Sequence, residues 1–299
     1  MAALEIKQIK GNTWYIPSPA NIGVYADNGN AVIIDSGNDK EAGRQICRLI
    51  DSLGWKLSMI INTHSNADHA GGNAFIQNKT GCRIAATRVE AAFIENPLLE
   101  PAFLFGGFPH TGLRNKFLMA NESRVTDIIE PGDKITSSGG AELWTIPLPG
   151  HFFGMIGVKT PDNVIFLADT LFSEHIVNKY SIFYLFDVGE HLKTLQAIET
   201  LEADYFLPSH AELTDNIKEL AAVNRAKIYE ISGNIADLCR EEIELDGILS
   251  GLCAIYNIEL NDNQYVLVQS SLKAYLVYLL QKGELSKEYR GGRLFWKKA

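Results

Sequence analysis

The chain has 299 residues, 46% of them hydrophobic, and a formal charge of −9. That length accommodates two domains and a sizeable core. The negative charge removes the counterion-release drive for nonspecific binding to nucleic acid or membrane surfaces. No stretch approaches the roughly 18 apolar residues of a membrane span. The opening residues, Met1-Ala2-Ala3-Leu4-Glu5-Ile6-Lys7, lack the apolar core of a signal peptide, so a soluble cytoplasmic protein is expected. Cys47, Cys82, Cys239 and Cys253 are scattered without C-x-x-C spacing, which disfavours zinc fingers and disulfide scaffolds.

The first part reads as strands: residues 4–10, 13–16, 22–26 and 31–34, the last two a hairpin about Asn28-Gly29-Asn30. A helix is expected over 39–53, from apolar residues at Ala42, Ile46, Leu49, Ile50 and Leu53, with Gly54 as its stop. Residues 57–62 form a short apolar strand. A helix over 70–79, a strand over 83–86 and a helix over 89–95 follow. Residues 96–123 read as a long irregular stretch rich in aromatics, either a lid or substrate wall or a core-packing insertion. Strands resume at 125–129, 143–148, 156–159 and 164–167, the last pair flanking the turn Thr160-Pro161-Asp162-Asn163. A helix over 190–202 and a strand over 205–208 complete this part. Strands alternating with helices suggest sheets covered by helices, an α/β (α+β) class.

Beyond residue 212 helical patterns dominate, over 215–242, 246–256 and 269–281, with a turn at Asn261-Asp262. Two short strands, 284–289 and 293–296, are joined by Arg290-Gly291-Gly292. This is the outline of a helical, winged-helix-like domain, and the division expected is 1–222 and 223–299.

The densest chemistry lies in His64-Ser65-Asn66-Ala67-Asp68-His69, two imidazoles and a carboxylate directly after an apolar strand. Imidazole and carboxylate are the ligands of a hydrolytic zinc site, and they also accept iron or manganese. Three further candidates stand after apolar runs: His151 after Leu148-Pro149-Gly150, Asp169 after Ile165-Phe166-Leu167-Ala168, and His210 after Phe206-Leu207-Pro208-Ser209. Strand ends that share a sheet edge can converge their loops on one point.

These residues resemble the metallo-β-lactamase superfamily. Its T-H-x-H-x-D-H-x-G-G motif is matched by Thr63 to Gly72, with Asn66 at the second His position. Pro149-Gly150-His151, Ala168-Asp169, Pro208-Ser209-His210 and Ile34-Asp35-Ser36-Gly37 match its other motifs in order, over about residues 1–212. The resemblance implies an αββα sandwich with a metal site at one edge of the paired sheets. Asp169, where β-lactamases use Cys, is more similar to hydroxyacylglutathione hydrolase and its relatives. The family pattern implies one site of His64, the residue at 66 and His151, a second of Asp68, His69 and His210, and Asp169 bridging both. Asn66 is a weak ligand beside imidazole, so one tightly bound zinc and a second weak or absent ion are expected.

The activity expected is metal-dependent hydrolysis of a small ester, thioester or lactone through activated water oriented by Asp68. His110, Tyr180 and Tyr184 are candidate substrate contacts, and His191 reads as structural. The partner expected is a small-molecule substrate, without nucleic acid or membrane. The alternative is an impaired binding or regulatory protein that uses its C-terminal domain for DNA binding or homodimerisation. That end carries Lys287, Arg290, Arg293, Lys297 and Lys298. An iron-dependent oxidoreductase is a third reading, with no appended flavin-binding domain to support it.

Overall fold

Alternation of buried side chains along the strands sets the layering. The computed structural model describes residues 4–299. Its first sheet has seven strands in chain order: β1 (Lys7–Lys10), β2 (Thr13–Ile16), β3 (Ile22–Asp27), β4 (Asn30–Ile34), β5 (Lys56–Ile61), β6 (Arg83–Thr87) and β7 (Asp127–Ile129). Strands β1 to β4 run antiparallel, and β4 to β7 run parallel. The β3–β4 turn is made by Asn28 and Gly29 at φ +47° and +74°, as such hairpins require. Ala31 and Ile33 face outward onto helix α1 (Lys40–Ser52), where Ile46, Cys47 and Ile50 cover them. Val32 and Ile34 face the opposite way, into the space between two sheets. Asp39 caps α1 by accepting from the Glu41 and Ala42 N–H groups, a contact that contributes about 1 kcal/mol.

After β5 come α2 (Ala67–Ala70) and α3 (Asn73–Thr80); after β6 come α4 (Arg88–Glu95) and α5 (Leu99–Phe105). Helix α5 lies in the stretch expected to be irregular. Pro101 falls within its first turn, where backbone N–H groups have no intrahelical partner, so the proline does not break it. Leu104, Leu113 and Leu118 from this segment are buried against Val266 near the C-terminus.

The second sheet has the order β12-β11-β10-β9-β8, from β8 (Lys134–Thr136), β9 (Glu142–Pro147), β10 (Ile156–Lys159), β11 (Val164–Phe172) and β12 (Tyr205–His210). Its inner residues Leu143, Ile156, Val158, Val164, Phe166 and Leu207 meet those of the first sheet. Its outer face is covered by α7 (Val188–Ile198), which follows α6 (Glu174–Tyr180), and by α8 (Lys218–Leu238). The result is four layers, helix-sheet-sheet-helix. Strand β11 does not end before Asp169 as expected. It continues to Phe172 with register breaks at Ala168, whose φ is +49°.

The C-terminal region orders α8, β13 (Ile243–Glu244), α9 (Leu245–Tyr256), α10 (Asp262–Gln281), β14 (Leu285–Arg290) and β15 (Arg293–Lys298). β15 is the central strand of a three-stranded sheet. The two-residue β13 was too short to read from sequence. The turn at Asn261-Asp262 is the start of α10, fixed by a capping box between Asn261 and Gln264. Residue 222 lies inside α8, and Ile228, Ile231 and Leu272 share one buried cluster with Leu167 and Leu195. No helix among the described residues is long and apolar enough to cross a membrane.

Candidate metal centre

The C-terminal ends of β5, β11 and β12 and the loop after β9 meet at one edge of the paired sheets. They bring His64, Asp68, His69, His151, Asp169 and His210 together. Two glycines let the chain turn there. A Cβ on Gly71 would stand 2.3 Å from the Asn38 backbone carbon, and one on Gly72 2.3 Å from the Ser36 oxygen. The loop after His69 therefore lies directly on the end of β4. Gly150, at φ +121°, likewise abuts the backbone of His191.

Each imidazole is oriented by its Nδ1. His151 Nδ1 donates to the Tyr184 carbonyl at 3.0 Å and His210 Nδ1 to the Pro19 carbonyl at 2.8 Å. His69 Nδ1 donates to Asp35 Oδ2 at 2.8 Å. The Thr63 hydroxyl donates to the same Asp35 oxygen and accepts from His64 Nδ1 at 3.0 Å. With all four Nδ1 atoms occupied by these bonds, the neutral form of each ring presents a bare Nε2 to the centre.

Spacing and orphaned atoms test whether a cation fits between them. His64 Nε2, His69 Nε2 and Asp169 Oδ1 are buried without a hydrogen-bond partner. His69 Nε2 is 3.1 Å from Asp169 Oδ1 and 3.7 Å from Asp68 Oδ2. His210 Nε2 is 3.1 Å from Asp169 Oδ2 and 3.5 Å from Asp68 Oδ2, and His151 Nε2 is 3.6 Å from Asp169 Oδ2. Ligands about 2.0–2.1 Å from a tetrahedral ion lie about 3.3–3.4 Å from one another. Two overlapping donor sets result: His64, His69 and Asp169, and Asp68, His69 and His210. The donors fit divalent ions.

The carboxylates divide the four imidazoles into two groups. Burial works against a charged His210, yet Asp169 and Asp68 raise it to about 10. Burial likewise opposes His69, which Asp169, Asp68 and Asp35 hold well above the ordinary imidazole range. Desolvation opposes ionisation of Asp169, but His210 and His69 keep it well below the carboxylate range. On the other side, burial and the charge on His69 push His64 well below the imidazole range. Burial outweighs the pull of Asp169 and lowers His151.

Asn66 stands between these donors and helix α5. It is the N-cap of α2, yet its side chain makes no capping hydrogen bond. Its Nδ2 donates to Glu100 Oε1 at 2.8 Å, and its Oδ1 lies 3.3 Å from His151 Nε2. A second buried carboxylate, Glu90, accepts from the backbone N–H groups of Ser65 and Gly154, tying the His64 loop to the His151 loop. An aromatic wall adjoins this side. The Phe152 ring is 6.2 Å from His64, and Phe153 packs on Phe103 and Phe186 at 5.0 and 4.1 Å.

Sequence reasoning assigned no role to Asp35, Glu90, Glu100 or the Tyr184 carbonyl. Asp35 carried a usable signal, a carboxylate directly after an apolar strand; the two glutamates, inside helices, carried none. The three expected substrate contacts occupy different settings. His110 is exposed and accepts from the Gly112 N–H in its own loop. Tyr180 is exposed at the end of α6. Tyr184 meets the centre through its backbone, and its hydroxyl is buried.

A sequence model of the Metallo-beta-lactamase superfamily matches residues 15–210, a span that holds every one of these donors. The chain belongs to that superfamily. Hydroxyacylglutathione hydrolases of Maricaulis maris and Nitrobacter hamburgensis are 29% and 32% identical to it, over 49% of this chain in each case. The chain matches about half the length of these relatives, 45% and 49%. In fold it is similar to a Beta-lactamase domain protein from Burkholderia ambifaria, with a TM-score of 0.77 at 19% identity over 99% of this chain and 94% of that one. A metallo-beta-lactamase family protein from Thermus thermophilus superposes with a TM-score of 0.75 at 16% identity, over 99% of both chains. Both superpositions include the C-terminal helical region of this superfamily member.

Proposed function

We propose that this chain is a metal-dependent hydrolase of a small ester, thioester or lactone. The observation that carries the reading is the convergence of imidazole Nε2 atoms and the Asp169 carboxylate at ligand spacing. The name of the hydroxyacylglutathione hydrolases it resembles over half their length supports a thioester. His64, His151 and Asp169 would hold one ion, and Asp68, His69, His210 and Asp169 the other. Zinc suits the second set, which supplies two imidazoles and two carboxylates as four protein donors.

A bound divalent ion supplies an acidified water and Lewis-acid polarisation of the scissile carbonyl. The chain's residues divide the remaining work. Asp68 Oδ2 faces His69 and His210, yet its side chain is 44% exposed, so the carboxylate reaches both the donors and the cleft. Desolvation opposes its ionisation, but His69 and His210 hold it well below the usual carboxylate range. It is thus ionised and able to orient an attacking water by accepting its hydrogen bond. Phe152 beside His64, and Tyr184 and Phe172 beside His151, keep that side apolar, which strengthens electrostatic interactions there.

The ion pairs of the C-terminal region weigh against the DNA-binding alternative. Arg290 pairs with Glu242 at 2.6 Å, Arg293 with Glu244 at 3.1 Å and Lys298 with Asp237 at 3.4 Å. Three of the five basic side chains there are already matched to acids of the same chain.

The test is turnover of a panel of thioesters, esters and lactones. We expect hydrolysis that is lost on chelation and restored by zinc, and that Asp68→Ala lowers kcat by about 10²–10⁴-fold. Turnover that survives both chelation and Asp68→Ala would overturn the proposal.

A further inference from the structure

We propose that Ser271, in the middle of α10, is a positioning residue for His151: its hydroxyl pins the peptide unit between Tyr184 and Leu185, whose carbonyl turns the His151 ring toward the centre. The C-terminal region is thereby a working part of the site rather than an appended module. This rests on the reading of His151 as a metal donor in the proposed hydrolase.

A peptide unit is planar, and its C=O and N–H point in opposite directions. The unit joining Tyr184 to Leu185 is held at both ends. Its oxygen accepts from His151 Nδ1 at 3.0 Å. Its N–H donates to the Ser271 hydroxyl oxygen at 3.1 Å. Fixing the N–H fixes the direction of the carbonyl, because the plane does not twist between them. The unit lies between α6 and α7, in a stretch without helix or strand, so no regular ladder supplies an acceptor for that N–H. Leu185 and Ser271 are both at 0% exposure, which keeps solvent from replacing the bond.

The neighbouring bonds hold the backbone of His151 and leave its ring to be set separately. The Phe186 N–H donates to the Gly150 and His151 carbonyls, and the Asp187 N–H to that of Gly150. The ring is turned by what its two nitrogens meet. Nδ1 meets the Tyr184 carbonyl, and Nε2 lies 3.3 Å from Asn66 Oδ1. Both partners are acceptors, and a neutral imidazole has one N–H to give. A proton on Nε2 would engage Asn66 and close that nitrogen to an ion; a proton on Nδ1 leaves it open. Linked hydrogen bonds polarise one another, so the Ser271 bond at the N–H end makes the Tyr184 oxygen the stronger acceptor and favours the open form. Helix α10 also stands behind the competing acceptor. Its Val266 packs on Leu104 of α5, the helix whose Glu100 holds the Asn66 amide.

The test uses the full chain, labelled with nitrogen-15 and stripped of metal. Long-range proton–nitrogen correlation spectra distinguish an imidazole protonated on Nδ1 from one protonated on Nε2. The unaltered chain should hold His151 in the Nδ1–H form. Ser271→Ala should move the ratio of the two forms about tenfold toward Nε2–H. In calorimetry it should weaken the second zinc equivalent about tenfold, the low end for partners of a metal ligand, and leave the first unchanged. Ser271→Cys keeps a weaker acceptor in similar volume and should shift both values the same way by less; it answers the question if the alanine variant does not fold. Leu279→Val thins the core packing of α10 two turns away and should move neither value. Unmoved His151 nitrogen signals in a folded Ser271→Ala chain overturn this proposal alone. So does a Leu279→Val chain that moves them as far as Ser271→Ala. An unaltered chain that binds no zinc overturns the metal-centre reading, and with it the purpose assigned to Ser271, whichever form His151 takes.

Discussion

The two halves of the centre share Asp169 but are built differently. On one side, Asp68, His69 and His210 are complete as donors. Asp35 fixes His69 while also accepting from the Thr63 backbone and hydroxyl, all at 2.8 Å. On the other, His64 and His151 are held by Thr63 and Tyr184, and the third place belongs to an amide oriented from a separate helix. The first half depends on carboxylates that raise the pKa values of its imidazoles. The second is deeply desolvated, with imidazoles pushed toward neutrality. One fold edge thus offers two environments, one that trades protons for a cation and one whose rings are already neutral.

The largest test of that asymmetry is Asp35→Ala. It removes the acceptor that orients His69, and such partners typically contribute about 10–100-fold to metal affinity. Calorimetry should show the tight zinc weakened by that factor and the second equivalent by less, because Asp35 reaches His64 only through the Thr63 hydroxyl. Equal weakening of both equivalents would erase the distinction between the halves.

A smaller effect is expected from pH. In the metal-free chain His210 keeps its proton up to about 10, so an ion binding there must displace it. Zinc affinity at that half should therefore rise, by at most about tenfold per unit for each proton released, as pH climbs toward 10. The sign for folding is opposite. A His whose folded pKa lies above its unfolded value stabilises the fold below about 6.5, and that contribution is lost as pH rises through about 10. The melting temperature of the stripped chain should fall across that interval; a rise would contradict the assignment of the proton to His210.

His64, Asp68 and His69 were legible as a dense run after an apolar strand, and His151, Asp169 and His210 because each follows an apolar run. Sheets covered by helices were legible from the strand runs and the regular pattern of α1, and the αββα order from the family resemblance. Glu100 was hidden. Pro97 and Pro101 punctuate its segment, and a seven-residue helix leaves too few turns for a periodic signal. Strands β8 and β13, of three and two residues, are stabilised by pairing with neighbours rather than by local preference. The continuation of β11 through Asp169 depends on Ala168 adopting a left-handed backbone, a strain that surrounding structure imposes.

The most direct test is the metal content per chain, measured by elemental analysis after gentle purification and dialysis against metal-free buffer. The asymmetric centre predicts one zinc retained at full occupancy and a second ion well below one per chain. Two ions held equally firmly, or none at all, would contradict it.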